Sequence, residues 1–187
     1  MLSSLQGRRA RLTVAGNANY IPIKIVNANG IEAVAIFEHR SDTAPTTQFL
    51  VESFTKSSHV IFPARPAESS PPQAIAFSVA GKSVESPTEC DLALLHEKLP
   101  VEVKFKFKKR KTFVIAGGEL GMAILLDEEI PPQSKIEVTI TEDEHSIQTE
   151  GFITHSIPRG KGFLAIYRFS VLPRVTMMYW SRILKAG

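Results

Sequence analysis

LPVEVKFKFKKRKTFVIAGGELGMAILL, residues Leu99–Leu126, is the stretch that decides the fold. From Val101 to Phe107 every second residue is apolar, which is the pattern of a strand with one buried face and one hydrated face. Phe105 and Phe107 are therefore expected in the core. The next four residues are expected to form the turn to a second strand: Lys108, Lys109, Arg110 and Lys111. Glycines then separate this strand from a third, so the stretch predicts a β-meander.

The remainder of the chain also has a β-rich pattern. The first eighty residues contain about six short runs of strand-forming residues, bounded by turn signals such as NANG at Asn27–Gly30. The second half continues with three more strands, and after Pro173 an amphipathic helix is predicted over Arg174–Lys185. We therefore expect an all-β protein of two small β-barrel domains, the second of which ends in an α-helix.

A change of composition indicates where the two domains meet. Residues 81–88 are rich in Gly, Ser, Glu and Pro, which is typical of a boundary. The following DLALLH, Asp91–His96, suits either one helical turn or an extended connector. The expected domains are an amino-terminal barrel over 1–80, a linker over 81–98, and a second barrel with its helix over 99–187.

Composition excludes several classes of protein. The net charge of +3 is too small to imply a nucleic-acid or membrane partner without local clustering. The single cysteine, Cys90, excludes an intrachain disulfide and is expected to be a buried or half-buried thiol. No signal-peptide segment, membrane span, nucleophile–base pair or metal-ligand cluster stands out. We expect a cytoplasmic, non-enzymatic protein with no catalytic residue, no metal, no cofactor and no membrane insertion.

The order of elements in the second half carries a resemblance to a known family. It runs from LPVEVKFKF through AGGELGMAILL, a proline turn and KIEVTITE to IQTEGFITHS, GFLAIYRFSVL and a terminal helix. This order resembles the PilZ domain, a bacterial module best known as a receptor for cyclic di-GMP. The resemblance covers about Leu94 to Lys185. The amino-terminal barrel and linker are also similar to the two-barrel layout of flagellar-brake proteins.

The sequence departs from the family's ligand motifs. Ligand-binding members have Arg-x-x-x-Arg before the first strand and Asp/Asn-x-Ser-x-x-Gly at the end of the second. The second motif falls on Ala116–Gly121, where only Gly121 matches and Gly118 replaces the serine. The first motif falls near LLHEK, residues 94–98, which lacks arginine. The resemblance implies that any ligand contacts here come from these motif positions and nearby cations: His96, Lys98, Gly118, Gly121, Lys108, Lys109, Arg110 and Lys111.

The densest positive charge lies in the segment Lys104–Lys111, which we call the basic hairpin. Six of its eight residues are Lys or Arg. It could contact phosphates, or it could be a hydrated strand face whose charges discourage aggregation. The terminal group Met177, Met178 and Trp180 likewise suits either an interaction surface or packing against the barrel.

These patterns predict a bacterial signalling or motility adaptor that acts through protein–protein contacts. The first alternative is a cyclic di-GMP receptor that uses non-standard residues, with Arg8, Arg9 and Arg11 or the 108–111 cluster replacing the missing arginines. The second alternative is a nucleic-acid-binding β-barrel that uses the basic hairpin. The expected partner is a protein; cyclic di-GMP can serve as a ligand only through a degenerate motif, and nucleic acid is disfavoured because no recognition helix or zinc site is present.

Overall fold

The structure, a computed structural model, describes residues 2–14, 20–39, 44–68, 70, 73–142 and 145–186. The chain divides into two compact units, Met1–Ser86 and Pro87–Gly187. Each unit is built on an antiparallel β-barrel, and the second also carries the terminal α-helix. The predicted fold class, all-β with two small barrels and one terminal helix, is confirmed.

The first unit begins with a short 3-10 helix, Leu2–Leu5. Seven strands follow: β1 Arg9–Val14, β2 Tyr20–Ala28, β3 Glu32–Phe37, β4 Phe49–Phe54, β5 Ser58–Pro66, β6 Ala74–Val79 and β7 Val84–Pro87. The seven strands pair in the order β4-β1-β2-β3-β6-β5-β7, and β4 also pairs with β5, which closes a barrel of six strands and leaves β7 at the edge. The inward side chains of these strands and Leu2 and Leu5 of the 3-10 helix form one apolar core.

The second unit has six strands and one helix: β8 Ala93–Phe105, β9 Lys108–Gly118, β10 Gly121–Leu126, β11 Lys135–Glu142, β12 His145–Arg159, β13 Gly162–Phe169 and α1 Arg174–Ala186. The barrel closes in the order β10-β13-β12-β11-β8-β9. Ile136, Val138 and Ile140 point inward on β11 as their alternation predicts. Trp180 and Ile183 pack α1 onto the same core, so the helix is part of the second unit.

Residues 81–98, which were expected to be a linker, contain regular structure. They include β7 and the first six residues of β8, and the Asp91–His96 segment is extended from Ala93 onward. Leu92 and Leu94 are buried. Pro87 is the last residue of β7, which lies at the edge of its sheet, and edge strands tolerate proline because one side of the strand needs no hydrogen bond.

The predicted turn of the basic hairpin is wrong by two residues. The chain reverses at Lys106 and Phe107, with Phe105 paired to Lys108, and Lys108–Lys111 are the first residues of β9. Lys106 has a φ of 55°, the left-handed conformation that tight hairpin turns require. Phe107 therefore lies at the tip with 103% relative exposure, not in the core, whereas Phe105 packs against the core as predicted.

Candidate functional site

The positions that align with the PilZ ligand motif are Ala116–Gly121, which run from the end of β9 through the turn to the start of β10; we call this segment the glycine turn. Gly118 pairs with Gly121 across this turn, and Ala116 pairs with Leu94 on β8 and Ala123 on β10. Ala116 is fully buried, and its methyl group cannot donate or accept a hydrogen bond. The motif's carboxylate or amide therefore has no counterpart at this position.

Gly118 stands where the motif has serine, and the protein's own backbone occupies the space of a side chain there. A Cβ atom added to Gly118 would collide with the carbonyl oxygen of Asp91 and lie 3.3 Å from Cδ2 of Leu92. Asp91 and Leu92 immediately precede β8, so the start of this strand lies against the glycine turn. A serine hydroxyl at this position would require the Asp91–Leu92 segment to move.

The terminal helix fills the space beside Gly117. A Cβ atom there would lie 2.6 Å from Cδ2 of Leu184 and 2.8 Å from Cζ2 of Trp180. The Trp180 indole is 2% exposed, and its Nε1 donates a 2.8 Å hydrogen bond to the carbonyl oxygen of Gly118. Trp180 also packs edge-to-face on Phe169, with ring centroids 5.7 Å apart. Helix α1 is thereby anchored to the glycine turn.

His96 and Lys98 lie on β8, where its pairing with β9 is irregular between Leu94 and Leu99. His96 is half-buried and Lys98 is exposed, and both already interact with other groups of the protein. This bulged part of β8 is the region expected to hold the family's Arg-x-x-x-Arg. The structure thus places His96 and Lys98 on β8. The same strand pairs with the glycine turn through Leu94 and Ala116. The role of His96 and Lys98 in ligand binding stays a prediction.

The cations of the basic hairpin have acidic neighbours. Lys109 Nζ lies 2.8 Å from Glu102 Oε1, and this hydrogen bond raises the pKa of Lys109. Lys104 Nζ lies 3.5 Å from an oxygen of Glu137. Because these two cations have anions beside them, the field that this segment presents to a phosphate is weaker than its sequence predicts.

Arg110 lies on the same strand and pairs with two acids from the turn after β10. Its guanidinium is 3.2 Å from Asp127 Oδ1 and also contacts Glu128. Lys108 and Lys111 are exposed neighbours on β9. The structure therefore brings Lys108–Lys111 together on one strand, at the opposite end of β9 from Gly118 and Gly121.

Cys90 and the metal-ligating residue types were the remaining candidates for reactive chemistry in the sequence. Cys90 is buried as predicted, and burial raises the pKa of its thiol while nearby Arg168 opposes that shift. The thiol is thus kept in its unreactive neutral form near pH 7. Within the described ranges, no three His, Cys, Asp or Glu side chains are grouped so that they could hold a metal ion.

No helix among the described residues has both the length and the apolar character needed to span a membrane.

No protein-family model and no curated protein matches this sequence. Similar solved structures include the Bacillus subtilis inhibitor of motility MotI/DgrA, with 13% identity, a TM-score of 0.43 and 96% of each chain covered. YcgR from Escherichia coli, solved with c-di-GMP, has 13% identity and a TM-score of 0.44 over 96% of this chain and 83% of its own. The K. pneumonia MrkH–c-di-GMP complex has 10% identity and a TM-score of 0.45 over 96% and 86%. The TM-scores of these three structures are all below 0.5, and the family resemblance of the sequence stays a prediction.

Sequence reasoning missed the two contacts that determine the character of the glycine turn. The Asp91 carbonyl lies 27 residues before Gly118, and the Trp180 indole lies 62 residues after it. The only available signals were the small residues at Gly117 and Gly118, which indicate a close approach without naming the partner.

Proposed function

We propose that this protein is a non-enzymatic signalling or motility adaptor with a PilZ-like second barrel, and that it acts by contact with a partner protein. The observation that carries the proposal is the packing of Gly118 against the Asp91 carbonyl. The motif position that should present a hydroxyl to a nucleotide has neither the side chain nor the space for one. Cyclic di-GMP binding in the family's usual mode is therefore disfavoured.

The missing arginines support the same conclusion. An arginine guanidinium holds a phosphate through two parallel hydrogen bonds and stacks on a base, whereas lysine offers only a point charge. His96 and Lys98 lie where the arginine motif is expected, and neither can supply this planar fork. The motif positions at 94–98 and 116–121 thus lack both the phosphate-gripping and the polar side chains of the usual site.

The alternative, cyclic di-GMP bound through arginines of the first unit, is less well supported. Arg9 Nε is hydrogen-bonded to Glu38 at 2.8 Å. Arg11 is 3% exposed, and its guanidinium lies 4.4 Å from the centre of the Tyr20 ring. Both side chains have roles within the first unit, and either would have to leave them to grip a phosphate.

A titration with cyclic di-GMP at moderate salt tests the proposal. Ligand at a hundred times its Kd stabilises the native state by about 2.7 kcal/mol. For a domain of this size that corresponds to a rise in Tm on the order of 10 °C. We expect no dose-dependent rise in Tm of the full chain.

A saturable rise at micromolar dinucleotide would overturn the protein-contact proposal. In that case the variant Lys108/Lys109/Arg110/Lys111→Ala shows whether the basic hairpin supplies the missing cations. The same variant tests the nucleic-acid alternative, which requires oligonucleotide affinity that falls steeply with salt and disappears in the variant.

A further inference from the structure

The outer face of β11, β8 and β9 carries a shallow groove at the side of the second barrel. The pairings place Pro100 beside Phe113, and Glu102 between Thr139 and Lys111. Together with Thr141 these side chains line a volume of about 590 Å³. Val101 and Thr112 also line this volume, and Val101 belongs to the core together with Val114 and Ile140, so the groove borders the core of the barrel.

The groove has an apolar floor. Phe113 is 45% exposed and lies beside exposed Pro100, and the threonines of β11 add methyl groups. An aromatic side chain on the outside of a closed barrel leaves apolar surface in water, which binding to a partner would remove. The sequence predicts only that Phe113 lies in a strand. Alternation does not show which exposed residues of neighbouring strands lie side by side.

Positive charge surrounds one end of the groove. Lys111 lines it, and Lys109 on the same strand is 63% exposed at its side chain despite its pairing with Glu102. Lys106 and Lys108 flank the fully exposed Phe107 at the tip of the hairpin. A partner that covers this face would contact the apolar floor of the groove and, toward the tip of the basic hairpin, several lysines.

We propose that this groove binds an acidic protein segment that places an apolar side chain against Phe113 and Pro100 and its carboxylates opposite Lys109 and Lys111. The inference rests on the proposed function and assigns its contact surface. Charge complementarity selects an acidic partner, and the apolar floor requires an anchoring side chain.

The same surface is poorly suited to a nucleic acid. Glu102 lies between Thr139 and Lys111, and Glu137 lies on β11 beside Lys104, so the positive charge of this face is interrupted. Separate carboxylates can lie opposite single lysines here, whereas the evenly spaced phosphates of a nucleic acid need a continuous row of cations. Phe113 lies beside a proline and threonines, and single-strand binding uses a series of aromatic platforms. An apolar centre with a polar, solvent-accessible rim is characteristic of a protein interface.

Fluorescence anisotropy with the full chain tests the assignment. The probe is a fluorescein-labelled peptide rich in Asp and Glu with leucine at its centre, and the comparison probe has serine in place of leucine. We expect saturable binding of the leucine peptide, weaker binding of the serine peptide, and loss of affinity as salt rises. The variant Lys109→Gln/Lys111→Gln should weaken binding about tenfold, which is the scale expected for removing interfacial charges.

A second variant and a charge-matched control separate the groove from general electrostatics. Phe113→Ser should reduce the difference between the leucine and serine peptides, because it removes the apolar floor while leaving the lysines. Lys161→Gln/Lys185→Gln removes the same charge from two exposed positions elsewhere on the second unit and should leave the affinity unchanged. Thermal unfolding of each variant confirms that it is folded.

Absence of saturable peptide binding, equal loss in the Lys161/Lys185 control, or tighter binding of a single-stranded oligonucleotide would each overturn the inference. None of these results bears on the cyclic di-GMP titration. If the dinucleotide leaves Tm unchanged while the peptide fails to bind, the groove assignment falls and the adaptor proposal stands. If the dinucleotide raises Tm, the adaptor proposal itself falls.

Discussion

The two ends of strand β9 have opposite surroundings. At its start, Lys109 and Arg110 are in ion pairs with side chains at the protein surface. At its end, Gly117 and Gly118 are buried beneath Trp180 and the backbone of Asp91. Ion pairs exposed to water stabilise the start of β9, whereas close packing of buried atoms stabilises its end.

This difference shows that the two features that looked most like a site in the sequence have different meanings. The glycine turn has small residues because the chain itself approaches there, and not because a ligand needs room. The basic hairpin has many lysines, yet several are balanced by Glu102, Glu137 and the acids after β10. We call Gly117–Gly118 the packed end of β9 and Lys109–Arg110 its electrostatic end. Substitutions at the two ends should differ in the size and the salt dependence of their effect on stability.

Trp180→Ala should cause the largest loss. It removes a buried aromatic side chain and the hydrogen bond to Gly118, and such substitutions cost about 3–5 kcal/mol. The free energy of unfolding is measured by urea denaturation followed by circular dichroism. Met178→Ala is the matched control, because Met178 lies on the same helix with 66% exposure and its loss should change stability by less than about 0.5 kcal/mol. Equal losses in both variants would contradict the anchoring of α1 at the glycine turn.

Gly118→Ala should cost about 1–3 kcal/mol, because the added Cβ forces the Asp91 carbonyl away. Gly30→Ala is the control, since no atom lies within 4 Å of a Cβ there. That control should be neutral or slightly stabilising, by up to about 1 kcal/mol, because alanine restricts the unfolded chain. A Gly118→Ala protein as stable as the wild type would show that the Asp91–Leu92 segment yields easily.

Alkaline pH should destabilise the second unit through Tyr167, a buried residue of β13. Its hydroxyl is hydrogen-bonded to Thr149, and burial raises the pKa of Tyr167 above its ordinary value. The native state therefore holds this proton more tightly than the unfolded chain does. The resulting stabilisation is complete below about pH 10, the unfolded-state pKa, and is lost as pH rises toward the folded-state pKa.

Urea denaturation between pH 9 and 11 measures this effect. Tyr167→Phe should show a smaller decline of stability over that interval, because phenylalanine has no proton to lose. Identical pH profiles for the two proteins would be evidence against an ionisation at Tyr167.

Arg110→Ala should have the smallest effect, below about 1 kcal/mol, because Asp127 and Glu128 are largely exposed and water screens the pairs. The difference from wild type should shrink as salt is raised, whereas the loss in Trp180→Ala should not. A salt-independent loss of several kcal/mol would remove the contrast between the two ends of β9.

Local patterns predicted those parts of the fold that depend on neighbouring residues. Alternation placed Val101 and Val103 in the core correctly, and the apolar spacing after Pro173 located the terminal helix to within one residue. The same alternation wrongly placed Phe107 in the core. It could not show that the strand ends at Phe105, because the turn depends on Lys106 adopting a positive φ and not on polarity.

The character of the candidate site depended on contacts between distant residues. Nothing near Gly118 indicates that Trp180 donates to its carbonyl, and nothing near Arg110 indicates that Asp127 lies opposite. The groove beside Phe113 likewise exists only because β11 and β9 both pair with β8. Periodicity predicts which side chains of one strand share a face. The pairing of strands in the closed barrel determines which side chains of different strands become neighbours.

Because Trp180 is hydrogen-bonded to Gly118, its fluorescence reports whether α1 is attached to the glycine turn. Trp180 is the only tryptophan of the chain and is almost fully shielded from water. Its emission should therefore shift to longer wavelength when α1 detaches from the glycine turn. Release of the helix can thus be followed by the fluorescence of the unlabelled protein, separately from the loss of β-structure seen by circular dichroism.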